Sequence, residues 1–210
     1  TARASNNLAS VAHLTGRPDL ALSLYRTALL SYQRLGDRRG MAETSHNLGI
    51  AFRQLRQWTE AERAAEQAVR HAEQLADAAL RGLALVGLAE LHLELKAWPL
   101  AEREIDRAAA LAAEGDDSIG VVEAARLRAV LEFGRGNADA ALRGALAARS
   151  EARNLGSALL EAECATVAAR AARQLGRDEE AGRLREEAEA GLTRLGAAGL
   201  LERFRNDWGA

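Results

Sequence analysis

Residues that favour strands are scarce in this 210-residue chain: aromatics make up 4% of positions, and proline occurs only twice. A sheet needs side chains that fit a pleated, half-buried surface, so a β-sandwich, a barrel or a doubly wound sheet is not expected. The single cysteine, Cys164, leaves no intramolecular disulfide, and four scattered histidines make no Cys/His zinc site. A reducing, cytoplasmic setting fits that usage, with no metal or other cofactor. No apolar run approaches the ~20 residues of a membrane-spanning helix, and no basic segment followed by an apolar one opens the chain. The net charge of -2, from 28 basic and 30 acidic residues, supplies no global attraction to nucleic acid or an anionic membrane. Lysine is nearly absent, with Lys96 alone against 27 arginines. With so much alanine, that skew points to a GC-rich, bacterial coding sequence. The chain starts at Thr1 already in helical pattern and reads as a fragment of something longer.

Catalytic signatures are missing as well. There is no Gly-rich phosphate loop, no His-Glu-x-x-His and no Gly-x-Ser-x-Gly, and Lys96 lies outside any such motif. The carboxylate pairs Glu102/Asp106 and Glu186/Glu187 fall where outer, solvated helix faces are predicted. The chain is not expected to be an enzyme.

What the chain does have is alanine and leucine, 48 and 33 residues, both strong helix formers. Cutting it every 40 residues aligns five segments without a gap: 1–40, 41–80, 81–120, 121–160 and 161–200. Ala21, Ala61, Ala101, Ala141 and Ala181 share the twenty-first place, and Ala28, Ala68, Ala108, Ala148 and Ala188 the twenty-eighth. Two invariant columns seven residues apart lie on one helix face. Leu8, Leu48 and Leu88 share the eighth place, and Ala9, Gly49, Ala89, Ala129 and Ala169 the ninth.

Gly16, Gly136 and Gly176 fall mid-repeat, where a first helix would end on a left-handed residue, so each repeat is read as two helices. Pro18 and Pro99 suit the first turn of the second helix, and Asn137 can cap the same turn. Gly36, Gly156 and Gly196 can close second helices, while Asp37, Asp77, Asp117 and Ser157 can cap the next first helices. Small residues let helices approach closely, and no single pair can bury both apolar faces, so the pairs should stack into a superhelix with a concave inner surface. Residues 198–208 are predicted to form an eleventh helix that caps the last pair with Leu200, Phe204 and Trp208.

These columns resemble the tetratricopeptide repeat, whose usual length is ~34 residues. The segments Asn6-Asn7-Leu8-Ala9 and His46-Asn47-Leu48-Gly49, with Leu35-Gly36-Asp37 ending a 40-residue period, are similar to the long-repeat variety of kinesin light chains, Pins/LGN spindle adaptors and bacterial signalling or transcription regulators. The place of the family's first-helix aromatic holds Ala12, Phe52, His92, Glu132 and Ala172. The resemblance implies a single domain over residues 1–210, folded as a right-handed, superhelical, all-α solenoid of five helical hairpins with a C-terminal capping helix. It also implies a protein-interaction scaffold that binds a protein or peptide along the groove face of its first helices. The matching places are the third, sixth, seventh, tenth, thirteenth and fourteenth. Asn6, Asn7, Ser10, His46, Asn47, Ile50, Arg53, Glu90, Arg126 and Arg170 are the candidate groove residues, with Arg3, His13, Glu43, Leu83, Val86, Glu94, Val130, Phe133 and Arg173 on the same face. The Lys/Asn clamp of co-chaperone repeats is mostly absent, since Ser10 and Leu83 stand where it needs Asn and Lys.

Two further readings are a sensory or autoinhibitory module that changes pitch on binding a peptide or metabolite, and a self-association module. Net charge per repeat runs +4, -2, -4, +2 and -2, with 0 in the last ten residues, which is a dipolar surface. His13 and His46 are read as surface or boundary residues, Arg126, Arg170 and Arg173 as surface arginines beside glutamates, Trp58 and Trp98 as packing residues, and Cys164 as a buried structural thiol.

Overall fold

The computed structural model describes residues 1–75 and 77–209, among which all regular structure is helical. Ten helices pair as hairpins: α1 (Ala2–Leu14) with α2 (Pro18–Leu35), α3 (Arg38–Gln54) with α4 (Trp58–Glu73), α5 (Ala78–Glu94) with α6 (Trp98–Glu114), α7 (Ser118–Gly134) with α8 (Ala138–Asn154), and α9 (Ala158–Gln174) with α10 (Asp178–Arg194). An eleventh, α11, spans Ala198–Gly209. Each second helix packs on its own first helix and on the following one. First helices also touch first helices of neighbouring repeats: α1 on α3, α3 on α5, α5 on α7 and α7 on α9. The result is an all-α solenoid with first helices forming the inner layer.

The two alanine columns hold this stack together. All ten of those alanines are at most 3% exposed. At the ninth place the approach is equally tight: a Cβ on Gly49 would lie 3.4 Å from the backbone nitrogen of Ala65. Larger residues fill the seams, with Leu85, Ile105, Leu127 and Leu131 in one buried cluster and Leu142, Val167 and Leu184 in the next. Leu48 is buried while Leu8, in the same column, is 56% exposed, because among the described residues α1 has no second helix on its outer side.

Turn chemistry follows the sequence at most junctions. Asp37, Asp77 and Asp117 each accept a bond from the N–H three residues on, at Gly40, Leu80 and Gly120, all at 2.9 Å. Ser157 and Asn137 occupy the corresponding N-cap positions, but neither makes a side-chain cap. The Asn137 amide instead donates to Glu132, 2.7 Å away across the preceding turn. Gly16, Gly136 and Gly176 have positive φ, as do Gly36, Gly156 and Gly196. Where repeats two and three lack the mid-repeat glycine, Arg56 (φ 56°) and Lys96 (φ 57°) adopt the same left-handed conformation, and Asp116 (φ 51°) does so at a repeat end. The fold therefore imposes the turn on residues that disfavour it.

Trp58 and Trp98 pack as expected, Trp98 over Gly134, where a Cβ would meet the indole at 2.6 Å. Cys164 is fully buried, and burial pushes its thiol up to about 12. A polar contact lies in the core: His92 Nδ1 is 2.5 Å from Glu104 Oε2, both nearly sealed from solvent. A buried carboxylate must keep such a partner, since removing one member of a pair strands the other.

Replacing Ala101 by Leu overfills the seam between α5, α6 and α7 and should cost ~1–3 kcal/mol, read as a lower urea midpoint with unchanged slope. A neutral result would remove close approach as the constraint. Conversely, Arg56→Gly relieves a left-handed conformation that costs a side-chain-bearing residue ~1–2 kcal/mol, offset in part by the freer unfolded chain. It should raise the midpoint slightly, whereas glycine inside α4 should lower it.

Candidate functional site

The inner layer converges on a row of buried charges. Arg53, from α3, places Nη2 2.7 Å from Glu90 Oε2 and Nε 3.3 Å from Glu94 Oε1, both on α5. Arg126, from α7, donates from Nη2 to Glu90 Oε1 at 2.7 Å and to Glu123 Oε1 at 2.5 Å. Glu90 is thus clamped between guanidiniums from the helices on either side, each only 8% exposed. Burial alone would raise the Glu90 pKa, but the two arginines outweigh it and hold the carboxyl well below its usual range. Arg126 is likewise held charged against its own burial by Glu123, Glu163 and Glu90.

Glu163 stands beside this row on α9. Among the described residues it makes no ion pair. Its pKa rises to about 7 because burial disfavours the charge; Arg126 and Arg53 oppose the rise, and the Glu123 and Glu90 carboxylates reinforce it. His46 is buried against Gly87, where a Cβ would come within 2.7 Å of Nδ1; its pKa falls to about 4 through burial, so the ring stays neutral.

α11 does not lie along α9 as a sixth first helix would. Its backbone approaches α10 and α1, so it crosses the inner layer near the C-terminal ends of the first helices. At its start, Gly199 comes close to the His13 carbonyl, 3.8 Å from where its Cβ would stand. Midway, Arg203 Nη2 sits 2.6 Å from Glu94 Oε1 on α5. At its end, Asp207 pairs with Arg170 Nη1 at 3.3 Å, and Arg173 donates to the Trp208 carbonyl. Phe204 is buried in the cluster that holds Val167 and Leu184, and the guanidiniums of Arg173 and Arg185 lie over the Trp208 ring, 5.1 and 5.2 Å from its centroid. Phe204 and Trp208 do cap the last pair, while Leu200 and Arg203 reach across to the groove.

Open space remains on both sides of this crossing. One cavity of about 470 Å³ runs past Lys96, Trp98, Val130, Phe133, Thr166 and Arg170. The other, of about 380 Å³, is lined by His13, His46, Ile50, Leu83, Val86 and Leu159. Both share Arg53, Glu90, Arg126, Glu163, Leu200 and Arg203, so they are two lobes of one groove around a charged centre.

Residues 1–74 match the tetratricopeptide repeat family. Two crystal structures of kinesin light chain "nearly identical TPR-like repeats" from Podosopora anserina, one a point variant of the other, share the fold, with TM-scores of 0.58 and 0.59 at 17% identity over 92% of this chain and 95% of theirs. The chain has the fold of a tetratricopeptide-repeat-like solenoid. No curated protein matches its sequence. Tetratricopeptide folds are generally protein–protein interaction scaffolds and are typically non-catalytic. No helix among the described residues is long and apolar enough to cross a membrane.

In the repeat domain, six of the ten candidate residues meet around the groove: His46, Ile50, Arg53, Glu90, Arg126 and Arg170. The other four line neither lobe. Asn6 accepts a bond from the Thr44 hydroxyl at 3.0 Å, which ties α1 to α3, and Ser10 is engaged with the Asn6 carbonyl and the Tyr25 hydroxyl. Asn7 is exposed and Asn47 half-buried. The seventh place is thus not one environment, since it also holds Gly87 against His46 and the buried Leu127 and Val167.

Arg126 and His46 are corrections: both are buried inner-layer residues, not surface ones, because the curvature of the stack turns their helix faces inward. Arg170 lies over the Phe133 ring, 4.8 Å from its centroid. Glu123 and Glu163 occupy the same third place as Arg3, Glu43 and Leu83, so carrying that column through repeats four and five would have found them. Arg203 has no such signal, for it lies outside the repeat.

A carboxyl whose folded pKa is raised stabilises the fold fully below its unfolded pKa of ~4.3 and loses that contribution as pH climbs through about 7. Urea titrations at pH 5 and pH 8 should therefore show wild-type stability falling over that interval. Glu163→Gln should flatten the fall and be the more stable protein at pH 8 by roughly 1–3 kcal/mol. The same slope in both proteins would assign it to another group.

Proposed function

We propose that this domain is a protein-interaction scaffold that holds a peptide or protein segment in its concave groove. The observation that carries the proposal is the makeup of that groove: a fixed charged centre, Arg53–Glu90–Arg126, with a roomy lobe on either side and a helix of the chain's own, α11, seated across it. Charged groups held in place by one another present the same pattern to each partner, so they give register and selectivity, while exposed Leu83 and half-buried Ile50 and Val130 supply apolar contact. The arginine-rich, lysine-poor composition and the lone buried Cys164 support a cytoplasmic regulatory protein of bacterial origin as its setting. The sensory reading draws support from α11, which touches both the first and the last repeats, so an occupant that moves it would change the relation between them.

Arg53 is a poor probe of binding, because its loss would strand Glu90 and Glu94 and lower stability as well. Leu83, 43% exposed on the apolar lobe, is better placed. Peptides selected from a displayed library on the intact chain should lose at least tenfold in affinity to Leu83→Asp while the unfolding midpoint stays within ~0.5 kcal/mol. Selected peptides that bind both proteins alike, and shift amide resonances only on the second helices, would move the site to the convex face.

A further inference from the structure

The smaller lobe of the groove, about 380 Å³, has the size of a small-molecule pocket. It runs obliquely across the inner layer, from His13 and Gln54 near the C-terminal ends of α1 and α3 to Ala79, Ile119 and Leu159 near the N-terminal ends of α5, α7 and α9. A helix of 17 residues such as α5 is ~25 Å long, so that volume is drawn out into a slot and not gathered into a bowl.

Two glycines inside α5 shape the slot. Glycine in a helix interior is destabilising relative to alanine, so each position asks for a reason. Gly87 has one in His46, since a Cβ there would come within 2.7 Å of the ring nitrogen Nδ1. Gly82 has no such neighbour: a Cβ on it would meet nothing within 4 Å, and it lines the slot. The same place in the other repeats holds Ala2, Ala42, Val122 and Ala162. Packing therefore does not call for glycine at residue 82, whereas an occupant of the slot does.

The polar groups around the slot are nearly all engaged. Arg53 pairs with Glu90 and Glu94, Arg126 with Glu90 and Glu123, and Arg203 with Glu94. Asp117 caps α7, and His13 lies 3.3 Å from the Gln54 amide. No base is left over to receive an anion, for Lys96 and the Arg170–Asp207 pair belong to the other lobe. Glu163, the acid without an ion pair among the described residues, has its pKa raised to about 7 by burial and is a poor counterion for a cation near neutral pH. His46 remains. Its Nδ1 is sealed against α5 without a partner, while Nε2 is neither sealed nor bonded. A buried N–H without an acceptor is the rarer case, so the proton belongs on Nε2. Burial keeps the ring neutral, its pKa lowered to about 4. His46 thus offers one N–H to the slot.

We propose that this slot binds a small uncharged molecule with a chain-like apolar body and a hydrogen-bond acceptor, the acceptor on His46 Nε2 and the body along Ile50, Gly82, Leu83 and Val86. A peptide is the poorer occupant of the same slot, because each of its residues brings an N–H and a carbonyl that need partners, and the charged groups here are engaged with one another. The proposal goes beyond the scaffold reading and does not depend on it.

Octanamide is the probe, with octanoate and octylammonium as charged versions of the same chain, titrated into the intact chain by calorimetry and followed through the methyl resonances of Ile50, Leu83 and Val86. Octanamide should bind with a Kd below ~1 mM and shift those methyls, and both charged versions should bind at least tenfold more weakly. Gly82→Leu puts a side chain into the open space and should lower octanamide affinity at least tenfold, with a urea midpoint no lower than wild type. Gly182→Leu, at an equally open glycine of α10 outside the slot, should leave the affinity unchanged. His46→Phe keeps a ring but drops the N–H and should weaken octanamide about fivefold. No binding by octanamide, or equal affinity in wild type and Gly82→Leu, would overturn the proposal. Tighter binding of octylammonium would assign the slot to a cation on Glu163, also against it. Library peptides that shift the same methyls where octanamide does not would give the lobe to the peptide and leave the scaffold reading standing, whereas octanamide binding without any peptide would do the reverse.

Discussion

Close approach of helices at alanine is the constraint on which the rest depends. Neither α-helix of a hairpin can bury its apolar stripe alone, so stability comes from the seams between one hairpin and the next. The ten column alanines, all sealed from solvent, let each second helix sit against two first helices at once. That bridging fixes the spacing of the first helices and turns a line of hairpins into a curved stack. Left-handed turns at Arg56 and Lys96 show the dependence from another side: the seams tolerate locally unfavourable turn residues sooner than give up the register.

Curvature then creates an inside. Side chains from α3, α5, α7 and α9 that would be a solvated stripe on a flat stack are brought together, and the arginine and glutamate of successive repeats become mutual partners. Ion pairs this enclosed are weak evidence of stabilisation, since desolvation takes back much of their attraction. Their value is in specifying: Glu90 held by two guanidiniums cannot turn aside, and Glu163, with no ion-pair partner among the described residues, keeps a raised pKa. α11 adds Arg203 to Glu94, and its path across the inner layer couples the first repeat to the last in a fold whose repeats otherwise meet only neighbours.

Periodicity made the repeat architecture legible before any coordinates. The helix pairs, the glycine turns at residues 16, 36, 136, 156, 176 and 196, and the aspartate caps at 37, 77 and 117 follow from local rules of backbone geometry, which act within a few residues and so are written in the sequence. The same rules overreached at Asn137 and Ser157, where cap residues stand in the right place without a capping bond; the Asn137 amide is turned to donate to Glu132. Of the candidate groove, the column rule led to Arg53, Glu90 and Arg126 but not to their burial, and it placed Asn6 and Ser10 in a groove when they are tied up between helices.

The sequence by itself determined that this protein is a stack of five helical hairpins with small residues at the contacts, since each contact repeats at fixed spacing and needs only neighbours. Which charges meet, which are buried, and where the last helix goes were decided by the tertiary structure. Those depend on how small tilts between successive hairpins add up over the whole stack, which is why Arg203 lies against Glu94, 109 residues earlier in the chain, with no local pattern to announce it.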